Sequence, residues 1–135
     1  MRLLFLIAAL GGLARCAGDE TVSAYGGSAT EWRLVELDGT PFAATATLNL
    51  SEPGRISGQA PCNSYFADQS APYPWFRAGP IGATRRACPA LDQENAFLTA
   101  LSEMSLSEVS GDTLILSNDA GREMVFTAEG PQSGS

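Results

Sequence analysis

The sequence predicts a mainly β domain, a barrel or sandwich of short strands with one α-helix, and three observations lead there. Short strand-like runs recur between residues 31 and 128, the patterning of a sheet with one buried face. Turn signals separate the runs, among them Asp38-Gly39, Pro53-Gly54 and Ser110-Gly111-Asp112. One segment, 90–104, departs from this pattern and spaces its apolar residues as a helix does.

In chain order, the first run is 32–37, which stops at Asp38-Gly39. Residues 45–50 alternate Thr, Ala, Thr, Leu, Asn, Leu and end at Ser51-Glu52-Pro53-Gly54, so 55–60 is the expected hairpin partner. Runs 65–68 and 73–78 are shorter, the second broken by proline. The last three runs, 105–109, 113–117 and 123–127, are joined by tight turns into an expected meander. There Leu114 and Leu116 face one way, and Met124 and Phe126 form an inward row. In the helical segment Ala90, Phe97, Leu101 and Met104 share one stripe. Pro89 stands at its start, where a helix tolerates proline. Glu94 falls on the same stripe. A buried carboxylate needs a partner, and Arg85 or Arg86 in the preceding loop is the expected one.

The chain has 135 residues, enough for one domain with a modest core. Its basic residues are eight arginines; it has no lysine and no histidine, and its net charge is −7. Without histidine, Ser-His-Asp triads and His-based zinc sites are excluded. Without a cluster of basic residues, nucleic-acid binding is excluded too. No catalytic, cofactor-binding or metal-ligating residues are expected.

Residues 1–13 read as a secretory leader: Arg2 supplies the positive end, and 3–13 is charge-free. That run is too short to span a bilayer, which needs about 20 residues. Residues 1–24 are read as leader and start of a tether, 25–30 as flexible tether, 31–128 as the domain and 129–135 as a disordered tail. Two cleavage sites stay open. One is Leu13-Ala14-Arg15-Cys16, where Cys16 would become a lipidated first residue, although Arg15 stands where such a signal has a small side chain. The other is Val22-Ser23-Ala24, a small-x-small site. Cysteine parity leans toward Cys16, because pairing two of three cysteines leaves one over.

Residues 32–126 resemble the META (HslJ-like) domain family. The resemblance is carried by Trp32-Arg33-Leu34 followed by Gly39, then by Gly58-Gln59-Ala60-Pro61-Cys62-Asn63-Ser64-Tyr65. It continues in Ala83-Thr84-Arg85-Arg86-Ala87-Cys88-Pro89, Glu94, Phe97 and Leu101, and in the closing Gly111-Asp112-Thr113-Leu114 and 121–126. Pro61 departs from the family's glycine, and the Pro-rich stretch 70–76 replaces a short hairpin. The resemblance implies a small eight-stranded β-barrel-like fold of lipocalin-like topology with one helix. It also implies an exported or lipid-anchored protein of the periplasm or outer membrane, linked to heat shock, stress tolerance or envelope integrity, with no catalytic activity.

For Cys62 and Cys88 the favoured reading is a structural disulfide, since a small exported domain gains from a covalent tie. A reactive Cys88 thiol beside Arg85 and Arg86, or two reduced thiols, are the alternatives. Asn63 is read as holding its loop through side-chain to backbone bonds. Tyr65, Phe66, Tyr73, Trp75 and Phe76 either pack in the core or line a ligand mouth. The leading expectation is a monomeric, non-enzymatic envelope protein that binds an envelope partner or stabilises the envelope under stress. The alternatives are a small barrel that binds an apolar or amphipathic ligand, and a periplasmic hydrolase inhibitor.

Overall fold

Trp32 and Leu34 are buried while Glu31 and Arg33 are exposed, so alternation along β1 (Glu31–Leu37) turns one side of the strand to the core. In this computed structural model, residues 18–29 and 31–129 are described. Positive φ at Asp38 (52°) and Gly39 (82°) reverses the chain into β2 (Thr40–Pro41), which pairs with the end of β1. The remaining strands are β3 (Thr47–Asn49), β4 (Arg55–Gln59), β5 (Ser64–Asp68), β6 (Gly82–Ala83), β7 (Leu106–Ser110), β8 (Thr113–Ser117) and β9 (Glu123–Glu129). They form one antiparallel sheet in the order β6-β5-β4-β3-β1-β9-β8-β7, with β2 attached to β1.

The expected barrel does not close, and the sheet has nine strands where eight were expected. Run 73–78 is not a strand, whereas β2 and β6 are additional. The reason lies at the outer edge of β7. Residues 74–76 lie along it: Ser107 N–H donates to the Pro74 carbonyl (2.7 Å), Phe76 N–H donates to the Ser105 carbonyl (2.9 Å), and Trp75 bridges to Leu106. Pro72 and Pro74 have no N–H to extend the ladder. β6 therefore never reaches β7.

Helix α1 (Leu91–Glu103) lies within the expected 90–104 and buries Glu94, Phe97, Ala100 and Leu101, with Met104 buried at its end. The Phe97 ring meets Tyr65 edge-on, centroids 5.4 Å apart, and lies 6.4 Å from Phe42. Met124 and Phe126 on β9 and Leu114 and Leu116 on β8 are fully buried, so all four line the core.

The stretch expected as a tether is packed against the domain. Thr21 caps a turn of 3-10 helix (Val22–Tyr25) and Val22 is completely buried. Trp32 Nε1–H donates to the Gly27 carbonyl at 2.8 Å, Tyr73 N–H donates to the Glu20 carbonyl at 2.6 Å, and Tyr25 stacks on Tyr73 at 4.8 Å. The leader 1–13, Cys16 and the tail beyond Glu129 lie outside the described residues. Burying one valine is worth about 1.5–3 kcal/mol. A chain beginning at Tyr25 is therefore expected to unfold about 2–3 kcal/mol more easily than one beginning at Gly18. Parallel urea titrations measure this, and coincident curves would show that the N-terminal strap contributes nothing.

Asp38 also ties the β1–β2 turn to β9. It accepts from Arg122 Nη2 (2.7 Å) and Nε (3.1 Å) and from Glu123 N–H (3.0 Å). The Arg122 side chain, then the Glu123 amide, hold the Asp38 carboxyl below its ordinary 3.8. A lowered folded value stabilises above the unfolded value and is lost as pH falls through the folded one. The pair is at the surface, so Asp38→Asn should cost under about 1 kcal/mol at neutral pH. That deficit should shrink toward zero in melts taken well below pH 3.8; a deficit independent of pH would show that the charge plays no part.

Candidate functional site

Between β4 and β5 the chain must turn under α1, and Gly58 is the first requirement. A Cβ there would sit 2.2 Å from the Thr47 carbonyl oxygen and 3.0 Å from the Tyr65 hydroxyl. That hydroxyl donates to the Thr47 carbonyl (2.6 Å), and burial pushes Tyr65 far above the usual tyrosine range. On the other side of the turn, Asn63 is 2% exposed and joins three segments. Its Nδ2 donates to Glu94 Oε2 (2.7 Å) and to the Arg86 carbonyl (2.8 Å). Its Oδ1 accepts from Arg86 N–H (2.6 Å) and from the Thr84 hydroxyl (2.8 Å). Asn63 thus makes a two-way backbone pair with Arg86, as a strand partner would.

Glu94 is 4% exposed in the first turn of α1. Oε1 accepts from the backbone N–H of Cys62 (2.7 Å) and Asn63 (2.9 Å), while Oε2 takes the Asn63 amide. The expected ion pair with Arg85 or Arg86 is absent among the described residues. Three N–H donors already satisfy the carboxylate, and both arginine side chains are exposed. Arg86 contributes its main chain to the site and points its charge outward.

The bridge between Cys62 and Cys88 is present, with Cα atoms 5.7 Å apart and a sequence separation of 26. It runs beside the Asn63–Glu94 clasp and ties the 60–64 turn to the loop before α1. Pro89 is exposed one residue outside the Ala90 cap. Trp32 lies away from this cluster, in the core under β1. The aromatic group is dispersed. Tyr65 and Phe76 are buried, Phe66 lies on the opposite face of β5 under the Arg55 guanidinium (5.2 Å), and Tyr73 stacks on Tyr25. Trp75 is 58% exposed.

Chemically, the cluster is a saturated polar clasp. Each Asn63 and Glu94 side-chain polar atom has at least one partner within the domain, so the cluster's hydrogen bonds go first to holding three segments together. What the clasp presents outward is Thr84, Arg85, Arg86 and Leu91 around an open concavity of about 400 Å³. Sequence reasoning placed Asn63 and Glu94 individually but did not join them. The available signal was the Cys62-Asn63 pair, a polar residue at the exit of a strand, facing a carboxylate on an apolar helix stripe.

The META domain family model matches residues 27–131. An NMR structure of a protein from Burkholderia xenovorans is similar at 25% identity and a TM-score of 0.63, covering 87% of this chain and 95% of that one. The crystal structure of a DUF4847 family protein from Bacteroides vulgatus ATCC 8482 shares the fold at 12% identity and a TM-score of 0.62, covering 78% and 96%. A further NMR structure matches at 20% identity and a TM-score of 0.60, covering 75% and 90%. No curated protein matches.

Proposed function

The chain belongs to the META domain family, and we propose that it is a non-enzymatic exported protein of the cell envelope, an interaction module that acts under stress. The observation that carries this reading is the saturation of Glu94. The one carboxylate buried in the site spends both oxygens on three N–H donors, which supports a structural role for it over an acid–base one. Export is supported by the charge-free run after Arg2 and by a disulfide that suits an oxidising compartment. The burial of Val22 supports processing at Cys16 over a cut after Ala24, which would remove Thr21, Val22 and Ser23 from the fold.

Two measurements test the reading. The intact mass of membrane-extracted protein is expected to correspond to a lipidated chain beginning at Cys16; a mature chain that keeps Met1 would overturn export. Cross-linked capture from stressed and unstressed cells is expected to recover a specific protein partner, enriched under stress.

A further inference from the structure

The sheet ends at β6, and only one edge of β6 is used. Gly82 and Ala83 pair with Phe66 and Tyr65 of β5, and no strand lies on the other side among the described residues. Along that free side, facing α1, run two open concavities of about 450 and 400 Å³ that share Ile81. Leu98, Thr99 and Ser102 of α1 line the first, and Leu91 and the first-turn Glu94 the second. Adjoining at Ile81, they make one groove between α1 and the segment 77–87, with β6 at the middle of that segment.

The charges at the ends of the groove are unmatched. Arg33, Arg55 and Arg122 each have a carboxylate within 4.0 Å. Arg77, at one end of the groove, and Arg85 and Arg86, at the other, have none among the described residues and are exposed. The acids nearby are already engaged: Glu94 by its three N–H donors, and Asp68 by Arg55 at 3.9 Å. In a chain of net charge −7, three free arginines flanking one groove are a local reversal of sign.

Resting on the interaction-module reading, we infer that this groove binds an extended acidic segment of another protein, which adds a strand to the free edge of β6 and sets carboxylates against Arg77, Arg85 and Arg86. An open edge offers main-chain N–H and C=O groups to a strand, and side-chain charge selects which strand. Leu91, 38% exposed, supplies an apolar contact. The chain's own ends do not fit. Residues 130–135 carry no acid, and residues 1–17 carry Arg2 and Arg15 and no acid. An anionic membrane would meet the arginines but would leave the strand edge unused, and the protein's net negative charge would repel it.

The test uses isotope-labelled mature protein and a short peptide alternating glutamate and valine. Amide shifts are expected at residues 81–83 and along 91–102, with slowed hydrogen exchange at β6. Binding should weaken as salt rises. It should fall about tenfold when Arg77→Ser, Arg85→Ser and Arg86→Ser are combined, three surface pairs lost together. These side chains have no partners to lose, so an unchanged melt will show the variant folded. Equal binding of a lysine–valine peptide, shifts confined to other surfaces, or binding of phosphatidylglycerol vesicles in place of the peptide would each overturn the inference. A native partner still captured by the triple variant overturns the groove alone. Absence of any native partner, with peptide binding intact, overturns the interaction reading and not the groove.

Discussion

Asn63→Ala is expected to destabilise the domain by about 3–5 kcal/mol, because it removes four hydrogen bonds at once, one of them to a carboxylate. Glu94 would keep its two backbone donors but lose the third, and the Arg86 N–H and carbonyl would lose their partner. Glu94→Gln should cost about 2–4 kcal/mol for a related reason. The new amide must place its NH₂ at one oxygen position, facing either Asn63 Nδ2 or the N–H groups of Cys62 and Asn63, a donor against a donor. Each kcal/mol shifts the melting temperature by roughly 4–8 °C in a domain of this size, so thermal unfolding reads both effects. Arg85→Ala and Arg86→Ala are the informative controls. Both should stay within about 0.5 kcal/mol of wild type, since neither side chain pairs with Glu94. A large loss in either would restore the Arg–Glu tie that the geometry rejects.

Replacing Cys62 and Cys88 together by alanine is expected to cost about 3.5 kcal/mol in the chain-entropy account of a loop of this length. That is a large share of the 5–15 kcal/mol typical of a whole domain. The bond ties the 60–64 turn to the segment that opens α1, and the Cys62 N–H is itself a Glu94 donor. Disulfide and clasp therefore hold the same two segments, and their losses should not be additive. In a double-mutant cycle with Glu94→Gln, a coupling of at least about 0.5 kcal/mol is expected. Strict additivity would mean that the two devices act independently.

The strands were largely legible because their period is local. Trp32 and Leu34 are spaced two apart around the exposed Arg33, and Met124 and Phe126 two apart around the half-buried Val125, and each pair lies on the buried face. The phase of the helix was legible for the same reason, down to the burial of Glu94. The partner of Glu94 was not. Side-chain patterning suggests a cation for a buried anion, and Arg86 was the nearest by sequence. In space the donors are the amide of Asn63 and two backbone N–H groups about thirty residues away, which no side-chain pattern records. Val22 was missed because a lone valine in a Gly- and Ser-rich stretch has no period. It is buried by contacts the rest of the fold brings to it.

By itself, then, the sequence determined most of the strands, the helix α1 and the family resemblance, since these depend on residue types at short, fixed spacings, and it favoured the Cys62–Cys88 bridge without fixing it. The tertiary structure alone decided that the sheet stays open, that residues 20–29 belong to the domain, and that Asn63 holds Glu94 while Arg85 and Arg86 face outward. Those outcomes depend on which backbone donors and strand edges meet across long separations. Residues 74–76, for example, occupy the outer edge of β7 that a closing strand would need.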